Sequence, residues 1–140
     1  MSLSELKHET IVWLGEWLSQ TGNDTYEMTE RLTNDIKDDL KAYMDRHGYL
    51  DKYDQLYRGT SRSISPSERG IVEFNTVTSW SLDPTLAGYF GEHVIETDVS
   101  TEDVLIDTTL LNPSEMIETL GGFPEEVEVI LLPGNYTIKV

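Results

Sequence analysis

Glu126-Val127-Glu128-Val129-Ile130-Leu131-Leu132-Pro133-Gly134 is an apolar run with two carboxylates at its mouth and a Pro-Gly stop at its end. The run predicts a buried strand over Val127 to Leu132. Strand side chains alternate, so Glu126 and Glu128 are expected on one face, close together and beside apolar surface. Unpaired carboxylates are costly in such a place, and the pair therefore suggests a cleft. Upstream, Tyr57-Arg58-Gly59-Thr60 and Thr78-Ser79-Trp80-Ser81 offer further polar groups, and together the three stretches read as a catalyst rather than a scaffold.

Moving back toward the N-terminus, short β-like runs punctuated by Gly and Pro are expected at Gln55 to Arg58, Ile71 to Phe74, His93 to Val99 and Val104 to Ile106, with a last one at Tyr136 to Val140. Asp83-Pro84 predicts one short helical turn up to Phe90, with Asp83 as its cap and Pro84 in its first turn. Asn112 to Pro124 reads as irregular or part helical. The first third is different. Leu3, Leu6, Val12, Trp13, Leu14, Trp17 and Leu18 follow helical spacing until Thr21-Gly22-Asn23-Asp24 breaks it. A second helix from about Thr25 carries Leu32, Ile36, Leu40, Tyr43 and Met44 on one stripe and ends near His47-Gly48, where glycine can take the left-handed cap. The tryptophans of these helices read as core or helix-to-sheet contacts.

Composition sets the outer limits. A chain of 140 residues, 38% hydrophobic, suits one core, so a single domain over 1–140 is expected, helical over 1–50 and mostly β over 55–140. No apolar run is long enough to span a membrane, and the N-terminus lacks the pattern of an export signal, so a cytoplasmic protein without a membrane partner is expected. There are no cysteines, and His8, His47 and His93 show no ligand spacing, so no metal is implied. With 26 acidic residues against 10 basic ones, the net charge is -16. That field repels phosphate backbones and disfavours nucleic acid as a target. It favours encounter with a basic macromolecule, and it also serves plain solubility.

Arg58 at a strand end in Tyr-Arg-Gly, Ser79-Trp80-Ser81 followed by Asp83-Pro84 and Ala87-Gly88-Tyr89-Phe90, and Glu126-x-Glu128 before an apolar strand resemble the arginine–serine–glutamate class of mono-ADP-ribosyltransferases. That class includes bacterial toxins and bacteriophage enzymes. The resemblance spans Leu56 to Val140 in the family's order. It implies an α+β fold in which N-terminal helices pack on a split pair of antiparallel sheets, with NAD, the co-substrate, bound between them.

The resemblance also implies roles. Arg58 would offset the pyrophosphate of NAD through its fixed donors, and Gly59 would allow close backbone approach and bond the nicotinamide amide. Glu128 would stabilise the positive charge that develops on the ribose and hold its 2′-hydroxyl. Ser79 would orient Glu128, and Ser81 would support the strand. Tyr89 and Phe90 would wall the nicotinamide pocket, with at least one of them in the core. Glu126, two residues before the catalytic glutamate, goes with arginine as acceptor in this class, and a carboxylate is suited to hold a guanidinium bidentately and take its proton. Phe123 either touches the protein substrate or anchors its loop. The function so implied is transfer of ADP-ribose from NAD to a protein at an arginine, with a basic protein of a bacterial host among the expected partners. The alternatives are hydrolysis of NAD without a protein acceptor, and a non-catalytic acidic module that mimics nucleic acid.

Overall fold

The computed structural model of the chain describes residues 2–19, 24–50, 52–61 and 70–139. The helix break expected at Thr21-Gly22-Asn23 and the strand end at Val140 lie outside the described residues. The first apolar stripe forms two elements. Leu3–Glu5 is a 3-10 turn closed by a capping box between Ser2 and Glu5, Leu6 and Lys7 are extended, and helix α1 runs from His8 to Leu18. The second stripe is also divided. Helix α2 covers Thr25–Glu30, and the Thr33 hydroxyl then accepts from Ile36 N, 3.2 Å away, to start helix α3 at Asn34–His47. A side-chain cap of this kind competes with continuation of the preceding helix. Gly48 closes α3 at φ 72, ψ 48, the left-handed conformation anticipated for it.

The strands are β1 Lys52–Thr60, β2 Ile71–Phe74, β3 Thr78–Ser81, β4 His93–Ser100, β5 Val104–Asp107, β6 Glu128–Leu131 and β7 Gly134–Lys139. Strand β1 is longer than its sequence suggests because a bulge interrupts its alternation. The register shifts between Tyr53 and Leu56, Gln55 takes φ 59, and Tyr53 and Leu56, three positions apart, are both fully buried. Strand β3 was legible only as part of a motif, since Thr-Ser-Trp-Ser has little apolar alternation.

All recorded pairings are antiparallel, in the order β2-β7-β4-β1-β3-β6-β5. The β1–β3 join is the narrow one. Among the described residues its register is the single pair Tyr57 opposite Ser81, whereas β1 and β4 pair along their length and β3 pairs with β6 from Thr78–Leu131 to Ser81–Glu128. The sheet thus parts into a four-strand half and a three-strand half, the split that the sequence resemblance implied.

Helix α3 packs on β5 and against α1. Helix α5, Pro113–Glu115, continues as a π-helical turn, Met116–Leu120, that packs on α1. Trp13, Leu14, Leu40, Tyr43, Ile106, Leu120 and Ile130 are all but inaccessible and form one core between these helices and the three-strand half. The polar tips of the buried aromatics are satisfied. Trp13 Nε1 donates to Met28 O at 2.9 Å, Tyr43 Oη to Leu110 O at 2.8 Å and Tyr53 Oη to Asp107 Oδ2 at 2.9 Å. Among the described residues no helix is long and apolar enough to cross a membrane.

Candidate active site

The cleft opens where β1 and β3 part. Tyr57, Arg58, Gly59, Ser79, Trp80, Ser81, Ala87, Phe90, Glu126 and Glu128 line a cavity of about 250 Å³. Whole small-molecule sites usually span roughly 300–1,000 Å³, so the cavity has room for one end of a dinucleotide.

Arg58 bridges the seam. Its Nη1 donates to Ser79 O at 2.8 Å, and burial lowers its pKa while the Glu128 carboxylate raises it, with a net depression. A guanidinium stays charged at neutral pH even so, which leaves a largely desolvated cation facing the cleft.

Glu128 is the first residue of β6. Its Oε2 accepts from Ser79 Oγ at 2.9 Å and from Trp17 Nε1 at 3.1 Å, and the same indole N–H lies 3.0 Å from Ser79 Oγ. Burial raises the pKa of Glu128 above the ordinary carboxylate range. The Ser79 and Trp17 hydrogen bonds and the Arg58 charge pull it down, and nearby Glu126 pushes it up.

Glu126 reaches the cleft by a different route from the one expected. It is not in the strand but ends a 3-10 turn, Pro124–Glu126, and Val127 between the two glutamates is left-handed, at φ 42, ψ 52. Strand alternation therefore does not set the pair on one face; a kink at Val127 does. Positive φ is unfavourable for a β-branched residue, and three donors secure the backbone there. Ser81 Oγ donates to Glu126 O at 2.8 Å, Leu82 N to Val127 O at 3.2 Å and Thr108 Oγ1 to Glu128 O at 2.7 Å. Ser81 thus supports the turn that carries Glu126 as well as the strand. Burial raises the pKa of Glu126, as does the adjacent Glu125.

Gly59 is required by contact. A Cβ on it would overlap the carbonyl oxygen of Ala87 and come within 2.9 Å of Gly91 N, and a Cβ on Gly91 would overlap the backbone of Thr60. The two glycines let the segment of helix α4, Pro84–Ala87, and the following 3-10 turn, Gly88–Phe90, lie directly on β1. Asp83 caps α4 by accepting from Thr85 N at 2.8 Å, as its sequence predicts.

Three aromatic expectations need correction or division. Neither Tyr89 nor Phe90 is in the core, since they are 79% and 56% exposed; the 3-10 turn holds both outward. Phe90 lines the cavity and Tyr89 does not. Phe123 is 51% exposed, so it is not a buried loop anchor, and it is not among the cavity-lining residues. Trp17 is the residue that sequence reasoning left out of the site. Its helical position reads as a helix-to-sheet contact, which it is, but nothing local announces that the contact ends on Glu128. Among the described residues no group of three or more His, Asp or Glu is placed to hold a metal ion.

Two kinds of comparison bear on this arrangement. The structure matches, over 94% of the chain, that of Exoenzyme S from Pseudomonas aeruginosa in complex with human 14-3-3 beta and bound to carba-NAD, at a TM-score of 0.52 and 13% identity. It also matches, again over 94% of the chain, a variant of the eukaryotic mono-ADP-ribosyltransferase ART2.2 in complex with NAD, at a TM-score of 0.55 and 17% identity. The fold is therefore that of the mono-ADP-ribosyltransferases. The chain spans 65% and 59% of the length of those two solved chains. No curated protein matches the sequence. The sequence model of dinitrogenase reductase ADP-ribosyltransferase matches residues 41–140, and the chain belongs to that family.

Proposed function

We propose that the protein transfers ADP-ribose from NAD to a protein side chain, most specifically an arginine, with release of nicotinamide. The observation that carries this reading is the Glu128 carboxylate, held by Ser79 and Trp17 in a cleft that faces the desolvated Arg58. As the ribose–nicotinamide bond breaks, its electron pair leaves with the pyridinium ring, which departs as neutral nicotinamide, and positive charge collects on the ribose. A fixed carboxylate in a partly dry cleft stabilises that charge as it forms. Arg58 offsets the negative phosphates in a protein that otherwise repels them. Gly59 lets the α4 wall of the cleft lie directly against β1 beside Arg58, and Ser81 keeps the turn that presents Glu126.

Glu126 supports arginine as the acceptor. It lines the same cavity as Glu128, and its raised pKa suits a group that takes a proton. A guanidinium oriented by Glu126 would attack the ribose carbon and pass one proton to that carboxylate. The protein partner is expected to be basic, given the net charge of -16. Dinitrogenase reductase, the protein in the family's name, is one acceptor to try.

The test is incubation with labelled NAD and candidate acceptors, in a bacterial lysate and with purified dinitrogenase reductase, while nicotinamide release is followed in parallel. Labelled bands that disappear in Glu128→Ala support transfer. Loss of label in Glu126→Gln with release retained supports arginine. Release without any labelled band would favour hydrolysis of NAD, and neither label nor release would overturn the catalytic reading.

A further inference from the structure

Helix α1 lies outside residues 41–140, the part that matches the family, yet it delivers a hydrogen-bond donor to the carboxylate at the centre of the cleft. An indole N–H only donates. That of Trp17 sits between two acceptors, 3.1 Å from Glu128 Oε2 and 3.0 Å from Ser79 Oγ, while the Ser79 hydroxyl spends its own proton on the same Oε2 at 2.9 Å. Three groups from α1, β3 and β6 thus close a triangle on one oxygen. Among the described residues no donor is recorded on Oε1.

The donor is held in place. The Trp17 ring stacks on that of Trp13 with centroids 5.6 Å apart and planes 8° from parallel, and Trp13 is itself fixed by its bond to Met28 O. Gly121 lets the end of the Met116–Leu120 turn lie against the C-terminal end of α1, where a Cβ on it would crowd Ser19 at 3.0 Å. A contact needed only for packing would use the ring and leave the N–H to any nearby carbonyl. Here it is aimed at an ionisable group.

We propose that Trp17 is a positioning residue: with Ser79 it ties down Oε2 of Glu128 and so leaves Oε1 as the oxygen that meets the ribose. The inference rests on the transferase reading above. It also assigns the N-terminal helix a part in the chemistry. The other charged groups acting on Glu128 are Arg58 from β1, which favours the ionised form, and Glu126 from the adjoining turn, which opposes it. Removing the indole donor leaves those two unchanged and makes the carboxylate harder to ionise.

The experiment replaces the Trp17 indole by the isosteric benzothiophene, which keeps shape and stacking and removes only the N–H, with Trp17→Phe as a second variant. Nicotinamide release is measured as kcat and KM across pH, and the Glu128 carboxyl is titrated by carbon-13 NMR. The expected result is a fall in kcat of about tenfold or more, the scale of one charge-assisted hydrogen bond, with KM for NAD changed less than about threefold. The acid limb of kcat and the Glu128 titration both move to higher pH. Unchanged kcat and an unmoved titration in the folded benzothiophene protein would overturn the role of Trp17 even where the wild type releases nicotinamide. If the wild type releases none, the transferase reading fails, and the carboxyl titration still decides whether Trp17 acts on Glu128.

Discussion

The carbonyl of Ala87 occupies the space that a side chain on Gly59 would need, so the α4 segment rests on the bare backbone of β1. This contact sets the distance between the Arg58 strand and the wall carrying Phe90, and hence the width of the cleft. Gly59→Ala is expected to cost about 1–3 kcal/mol, toward the upper end because the opposing atoms are backbone and cannot rotate away. Thermal unfolding should show the loss. Nicotinamide release should fall at temperatures where the variant is still folded, since the wall must shift.

Glu128 makes stability and activity respond in opposite directions. Burial raises its folded pKa above the unfolded value. The folded state therefore holds the proton more tightly, and the stability this contributes is complete below the unfolded pKa and is lost as pH rises through the folded one. At neutral pH the ionised carboxylate opposes folding. Glu128→Gln should accordingly raise the unfolding temperature at neutral pH and flatten its pH dependence above the ordinary glutamate range. Its kcat should fall about 10²–10³-fold, as for loss of one electrostatic stabiliser. In the wild type, the acid limb of kcat should lie above the ordinary glutamate range.

Arg58→Lys keeps the charge and loses the fork. Arg58 already spends Nη1 on Ser79 O across the seam, and among the described residues no hydrogen bond is recorded for its other donors, which lie in the same plane and suit an anion. A lysine ammonium cannot hold both with that geometry. KM for NAD should rise roughly tenfold or more, with a smaller change in kcat, and a titration of NAD binding in the slowed Glu128→Gln background should show the same loss of affinity.

Val127→Gly tests the kink. Glycine adopts φ 42 without strain, but its own entropy cost and the lost side-chain contact offset that gain, so stability should stay within about 1 kcal/mol of wild type. The hydrogen bonds from Ser81, Leu82 and Thr108 remain, yet the turn carrying Glu126 becomes softer. The ratio of transferred label to released nicotinamide should fall. An unchanged ratio would mean that the Val127 conformation has no part in presenting Glu126.

Local rules explain where the sequence was legible. Gly48 as a left-handed cap, the Asp83-Pro84 turn and the strand at Ile71–Phe74 depend on a few adjacent residues, and each appears as its sequence predicts. The same rules failed where a single residue changed the count. The bulge at Gln55 hid the first part of β1, and the Thr33 cap divided one expected helix into two. Phe123, Tyr89 and Phe90 show a further limit, because a large aromatic in a loop carries no periodicity from which burial can be read.

The order and chemistry of the cleft residues are local matters, written in adjacent positions of the chain: a strand-end Arg58, the Ser79–Ser81 segment and Glu128 opening an apolar strand. How these residues act on one another depends on packing between distant segments. Glu126 comes beside Glu128 through the left-handed Val127, which is tolerated because donors from β3 and the Thr108 turn secure it. Trp17 reaches Glu128 from 111 residues away. Such a contact has no local signature, because the residues around Trp17 encode an apolar helix face and only the packing of α1 against the sheet determines which acceptor its N–H will find.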